Sequence, residues 1–366
     1  MLKMKDLGNF NKVPQIVTDI VEGNTVALDT YLSEGWNIEK KIKIGEYFDE
    51  TPLVIALVME AFPSVKWLVE HGGNLNHKED PAFCVAVRYC GEEIIRWLVA
   101  HGAKVSISRG IFGNAYVQAL FGGRKENLSL IEEFGYSVAK HGGEAFRSAI
   151  SPTEGRADFE ILDFFIKHGV DINYNQPDMV YSFKPTPLCV AARYADLEVC
   201  KYLVEHGADV TLSEKDGMRP YNIAVERGDT AMADYFKSLE PDDFHNLQNK
   251  LLELKPYKLP KSLIDFLQGE NLRLTFSPDE YDVEFIEFFS LIDTVLMKAG
   301  KQKVVRISKE IDNYSHFYLV WNPKAKMIAF WDTEHEEFGN IASFDDFIEN
   351  AAEYMQKVID GDFDEQ

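Results

Sequence analysis

Nine histidines, four cysteines and sixty carboxylates give this chain of 366 residues material for several kinds of chemistry. Four of the histidines, His71, His101, His168 and His206, share one setting, immediately before a glycine that ends an apolar helical run. An imidazolium there would face the negative end of a helix dipole, and repetition at one slot marks a structural residue rather than a ligand. His335 stands among Asp332, Glu334, Glu336 and Glu337. That cluster has the oxygens for a hard cation but not the spacing of a calcium loop, and it reads as a solvated acidic turn, with a cation left open. Gly122-Gly123-Arg124-Lys125 has the composition of a phosphate loop. It lacks the Walker spacing and a preceding strand, so it reads as a turn between two helices. Cys84, Cys90, Cys189 and Cys200 form no CxxC pair and read as small core residues in a reducing cytosol. GxSxG, HExxH and dinucleotide-binding patterns are absent. No residue set is therefore assigned as catalytic; the chain is expected not to be an enzyme and to need no metal or cofactor.

The elements that would position these side chains are short helices in pairs. Residues 186–210, TPLCVAARYADLEVCKYLVEHGADV, place a capping threonine and a first-turn proline ahead of one helix. A second helix begins near Leu197 and ends at Gly207, where glycine can turn left-handed without a Cβ clash. One such hairpin cannot bury both faces. Residues 51–76 and 81–105 align with it without a gap, and residues 159–173 match its second half. The helix-ending glycines at 35, 72, 102, 135, 169 and 207 recur at a mean spacing of about 34. The Thr-Pro-Leu opening, the paired alanines and the Gly-Ala-Asp-Val ending resemble the ankyrin-repeat family, over roughly residues 13–241 and seven units. The fourth and fifth are degenerate. That resemblance implies an α solenoid with a concave face of inner helices and finger turns, where partners usually dock.

Composition shifts after Pro241. Residues 243–254 read as a linking helix, and beyond Pro256 the period changes from helical to alternating. LRLTF (272–276), KVVRI (303–307), FYLVW (317–321) and MIAFW (327–331) read as strands, the last two a hairpin about Asn322-Pro323-Lys324-Ala325. Residues 344–359 read as a terminal helix capped by Ser343. The expected organisation is a repeat domain over 1–241, a linking helix over 242–258 and an α+β domain over 259–366. The second domain resembles the SUKH superfamily of the Smi/Knr type. The match rests on Leu259-Pro260 with a short helix, an acidic-hydrophobic helix at 280–297, Ala329-Phe330-Trp331-Asp332 with Glu334, and Ile341-Ala342-Ser343-Phe344 before a final helix. The family's usual Gly-Asp turn is replaced by Asn313-Tyr314-Ser315-His316.

The net charge is −22, and residues 256–366 hold 11 Lys+Arg against 22 Asp+Glu, half of the excess in under a third of the chain. Nucleic acid is excluded as a ligand by repulsion of its phosphates, whereas a basic protein would be attracted. No apolar run is long enough to span a bilayer, and the N-terminus lacks a signal-peptide core, so a cytoplasmic protein is expected. Candidate partner contacts come from the repeat geometry. Arg88-Tyr89 and Arg193-Tyr194 occupy identical repeat positions; they either cover the groove between repeats or face a partner. Met218 and Arg219 lie on the last finger, and Tyr47, Phe48, Ile111 and Phe112 on earlier ones. Asp332, Glu334, Glu336 and Glu337 sit where the hairpin exits, with Trp331 read as core. The resemblances imply a bacterial immunity protein, a monomer that neutralises a cognate basic toxin, possibly a nuclease, by stoichiometric occlusion. The alternative is a general ankyrin adaptor with a regulatory second domain.

Overall fold

The Thr-Pro openings cap helices in the expected way. The Thr186 hydroxyl accepts from the Cys189 N–H at 3.1 Å, starting the helix Pro187–Tyr194, and Thr51 accepts from Val54 N–H to start Pro52–Val58. All six helix-ending glycines, at 35, 72, 102, 135, 169 and 207, have φ between +79° and +99°, a backbone that side chains with a Cβ rarely adopt. The computed structural model describes residues 2–5, 8–46, 48–110, 113–151, 156–277 and 282–362.

Seven helical pairs follow one another among these residues. They are Gln15–Glu22 with Thr25–Ser33, Pro52–Val58 with Phe62–Glu70, Ala82–Tyr89 with Glu92–Ala100, and Ala115–Phe121 with Asn127–Glu133. Then come Gly143–Ile150 with Phe159–Lys167, Pro187–Tyr194 with Leu197–Glu205, and Pro220–Arg227 with Thr230–Lys237. Within the first five pairs, and again within the last two, first helices pack on first helices of the neighbouring pair, and their small or branched residues, such as Ala86, Val87, Ala191 and Ala192, are buried. No helix of the described residues is long and apolar enough to cross a membrane.

Two features of the first pairs were not anticipated. Leu2–Met4 pairs antiparallel with Gly8–Phe10, and the 40–50 finger is itself a small antiparallel pair, Ile42–Lys43 with Asp49–Glu50. Met4 is fully buried, which explains why so short a terminal hairpin is held.

The chain divides into two compact units. One is Met1–Tyr174 with Asp178–Val180, and the other is Asn175–Pro177 with Tyr181–Gln366. The second unit thus contains the last two helical pairs, the linking segment and a β-rich C-terminal region, consistent with an α+β domain. The linker is the helix Leu247–Leu254 between two short 3-10 turns, Asp242–His245 and Lys255–Tyr257.

The C-terminal region holds two open antiparallel sheets. The larger has the order Glu337–Ala342, Met327–Asp332, Phe317–Asn322, Gln302–Arg306, Val295–Ala299; the smaller has Arg273–Thr275, Phe285–Phe288, Ser308–Ile311. The hairpin about 322–325 is present in the register Phe317↔Asp332 to Asn322↔Met327. One core, including Trp321, Ile328, Phe330 and Phe347, gathers the helices Lys261–Leu267, Phe344–Glu349 and Ala351–Ile359. A second cluster, Met297, Val304, Val320, Ala329 and Trp331, is made by alternate strand residues. Trp331 is core, as expected.

The helix expected at 280–297 does not form. Its described part is the strand Phe285–Phe288, a 3-10 turn Leu291–Asp293 and the strand Val295–Ala299. Alternate residues Ile286 and Phe288, and again Val295, Met297 and Ala299, are buried, a two-residue period that a helix cannot satisfy. Ser290 and Asp293, bonded side chain to side chain at 2.6 Å, set the turn between them. That element of the SUKH resemblance is therefore absent. The terminal helix has its Ser343 cap, but is broken at Asn350 into two.

Candidate functional site

Each of the four histidines before a glycine is a helix-closing device. Nδ1 lies 2.7 Å from the carbonyl oxygen four residues earlier, Trp67, Trp97, Phe164 or Tyr202. The same four aromatic rings lie 3.7–4.3 Å, centroid to centroid, from the imidazoles. With the proton on Nδ1 the ring adds a second donor to a helix carbonyl that already accepts the backbone N–H of the same histidine. The aromatic residue four positions before each His-Gly was the missed sequence signal.

The cysteines are buried and free. Burial pushes each thiol up to about 12, so none is a ready nucleophile. Gly122-Gly123 is the turn between two helices. Gly122 is required there, because a Cβ would overlap the Arg88 carbonyl oxygen.

His77, Glu79 and Asp80 form a compact potential cation group. The Arg109 guanidinium already reaches Asp80 Oδ1 at 2.7 and 2.9 Å, and the His77 Nδ1 faces the Glu79 and Asp80 N–H groups. A hydrogen-accepting Nδ1 leaves the proton on Nε2, so this ring is not set to ligate.

The acidic exit of the hairpin is ordered around Asp332. Its Oδ1 accepts from the Glu334 and His335 N–H groups at 2.8 and 3.2 Å, and Oδ2 meets His335 Nδ1 at 2.7 Å. Burial works against the Asp332 charge, but these bonds hold its carboxyl below the usual range, and the bond to Asp332 raises His335. Asp332 is buried and serves the turn, while Glu334, Glu336 and Glu337 stand exposed.

The two Arg-Tyr pairs part company. Tyr89 is 3% exposed, its carbonyl accepting from Lys5 Nζ at 2.6 Å and Arg124 Nη2 at 2.7 Å; Arg88 is half-buried beside the Phe121 ring. Tyr194 is 55% exposed. Arg193 beside it bonds Glu214 Oε2 at 2.7 Å and Glu226 Oε2 at 3.1 Å. Burial pushes the Glu214 carboxyl up to about 8 against the pull of Arg193. Met218 is fully buried, and Arg219 is bound to Glu240 at 2.7 Å beneath the Phe244 ring. Phe48 is half-buried against Phe10, with ring centroids 5.7 Å apart. Tyr47, Ile111 and Phe112 lie outside the described residues.

Residues not singled out from the sequence complete the polar contacts of the second unit. They are Tyr221, Asn222 and Glu226 on one helix, and Asp293 and Arg306 ahead of and within the large sheet. Glu226 lies 33 residues after Arg193, and this opposite charge one repeat on was the available signal.

Residues 149–245 match the family model of ankyrin repeats in three copies. No curated protein matches the chain. Among solved structures, a human ASB11 ankyrin repeat domain is similar at 16% identity and a TM-score of 0.47, covering 62% of this chain and 98% of that one. The chain carries ankyrin repeats, a protein-binding module, joined to a β-rich C-terminal region.

Proposed function

We propose that this protein binds a basic protein partner and blocks it by stoichiometric occlusion. The sharper form of the reading is a bacterial, cytoplasmic immunity protein, acting as a monomer, that neutralises a cognate basic toxin. The observation that carries it is the net charge of −22, half of it in residues 256–366, with Glu334 and Glu336 exposed on one turn and Glu337 exposed at the start of the strand that follows. Self-repulsion of this size costs stability, and opposite potentials speed encounter with a basic partner.

Co-expression with the product of the neighbouring gene is the test. The expected product is basic and toxic to a cell lacking this protein. Its association rate should fall steeply as salt rises past about 0.15 M, where screening acts within ~8 Å, with dissociation changing far less. Reversing Glu334, Glu336 and Glu337 to lysine should reproduce the high-salt rate. An acidic or harmless product would sink the immunity reading and leave the adaptor role.

A further inference from the structure

Positions 193 and 226 occupy the same place on successive first helices, Pro187–Tyr194 and Pro220–Arg227. In a stacked repeat protein the first-helix face is one that partners use. Here it is in use already. Glu226 receives Arg193 on one carboxylate oxygen and Arg306, from the strand Gln302–Arg306, on the other. The Arg306 guanidinium lies 3.5 Å from the Tyr318 ring centroid, and its Nε donates to the Ser308 carbonyl at 3.1 Å. One turn earlier on the helix, the Tyr221 hydroxyl donates to Asp293 Oδ1 at 2.9 Å and Asn222 Nδ2 to the Asp293 carbonyl at 3.3 Å. The linking helix adds Lys250, buried, whose Nζ donates to the Thr294 carbonyl at 2.6 Å. Gly217 on the last finger approaches the Leu296 backbone so closely that a Cβ has no room.

We infer that the first-helix face of the last two helical pairs is a protein-recognition surface filled in cis, with the Asp293 turn and the Arg306 strand of the same chain as its ligand. The recognition chemistry is specific. Glu226 takes an arginine backed by an aromatic ring, and Tyr221-Asn222 takes a carboxylate together with its own backbone carbonyl. Tyr221, Asn222 and Arg306 are all buried, so withdrawing the sheet would leave polar groups half-satisfied on both sides until water reached them. Of the contacts expected from sequence for an outside partner, Arg193 belongs to this internal network. A protein that binds the chain in trans meets other surfaces. The inference rests on reading the repeats as binding modules, but its test needs no outside partner.

The test is hydrogen exchange on the full-length protein, run reciprocally because coupling free energies are reciprocal. Tyr221→Phe with Glu226→Gln, on the helix side, should speed exchange of amides 295–306 by about ten-fold. Asp293→Asn with Arg306→Gln, on the sheet side, should speed exchange of amides 220–227 by a similar factor. Amides 83–100 of the third pair should not change. Tyr221→Phe alone keeps the volume of the side chain and should show the same coupled loss, a few-fold in size, should a double variant fail to fold. Faster exchange confined to the mutated side, or unchanged on both, would overturn the inference.

Discussion

The third and sixth helical pairs carry the same Arg-Tyr dipeptide at the same repeat position, and their surroundings give it opposite uses. In the third pair the tyrosine is the buried member. The Gly122 turn packs on the Arg88 carbonyl, and Lys5 and Arg124 close over the Tyr89 carbonyl. In the sixth pair the tyrosine is exposed and the arginine is the pinned member, between Glu214 and Glu226. A helix of eight residues sets which side of itself is apolar. Whether a side chain at its end meets water depends on what the following turn and the neighbouring segments bring to it.

The largest way to break this comparison is to truncate both tyrosines. Tyr89→Ala should cost about 3 kcal/mol, the usual penalty for emptying a buried aromatic site, whereas Tyr194→Ala should cost less than about 0.5 kcal/mol. Urea unfolding of the two single variants measures this, and equal losses would erase the distinction. Gly122→Ala should cost about 2 kcal/mol, because the new Cβ forces the turn away from the Arg88 carbonyl. Tyr89 should then become reachable, which tyrosine fluorescence quenching by iodide would register.

The next effect belongs to the sixth pair alone. Glu214 has a folded-state pKa of about 8, above its unfolded value, so its stabilising contribution is complete below the unfolded pKa and is lost as pH rises toward 8. Stability of the second unit should fall with pH across that window by up to about 1.4 kcal/mol per unit, and Glu214→Gln should flatten the slope. A slope unchanged in that variant would show that another group is responsible. A smaller effect than the Tyr89 and Gly122 losses is His206→Ala, at about 1 kcal/mol for a lost hydrogen bond and ring contact, with His101→Ala matching it because both pairs share the device. Unequal losses measured by thermal unfolding would mean the two helix ends are not equivalent.

Much of this architecture was legible before any coordinates. Capping threonines, first-turn prolines and six periodic glycines act through bonds within a few residues of themselves, so their spacing marks the ends of the first six helical pairs. The strands at 303–307, 317–321 and 327–331 were equally readable from alternation. The segment 280–297 was not, because its acidic residues spaced among apolar ones suit a helix until Ser290 and Asp293 turn the chain between two strands. The terminal hairpin Leu2–Met4 with Gly8–Phe10 was also missed, since three-residue strands carry too little pattern.

The candidate contacts divide along the same line. Glu334, Glu336 and Glu337 are exposed, as charged residues on or beside a turn usually are, whereas Asp332 beside them is buried because its oxygens collect two N–H groups and an imidazole. Met218, at the tip of a finger, is fully buried. By itself the sequence determined the repeat, its period, the helix ends and the excess of negative charge, all properties of short-range bonding or simple composition. Only the tertiary structure decided that Arg193 is held by two carboxylates, that Tyr89 is covered and that Glu226 faces Arg306, because those outcomes depend on groups up to 84 residues apart that no local periodicity relates.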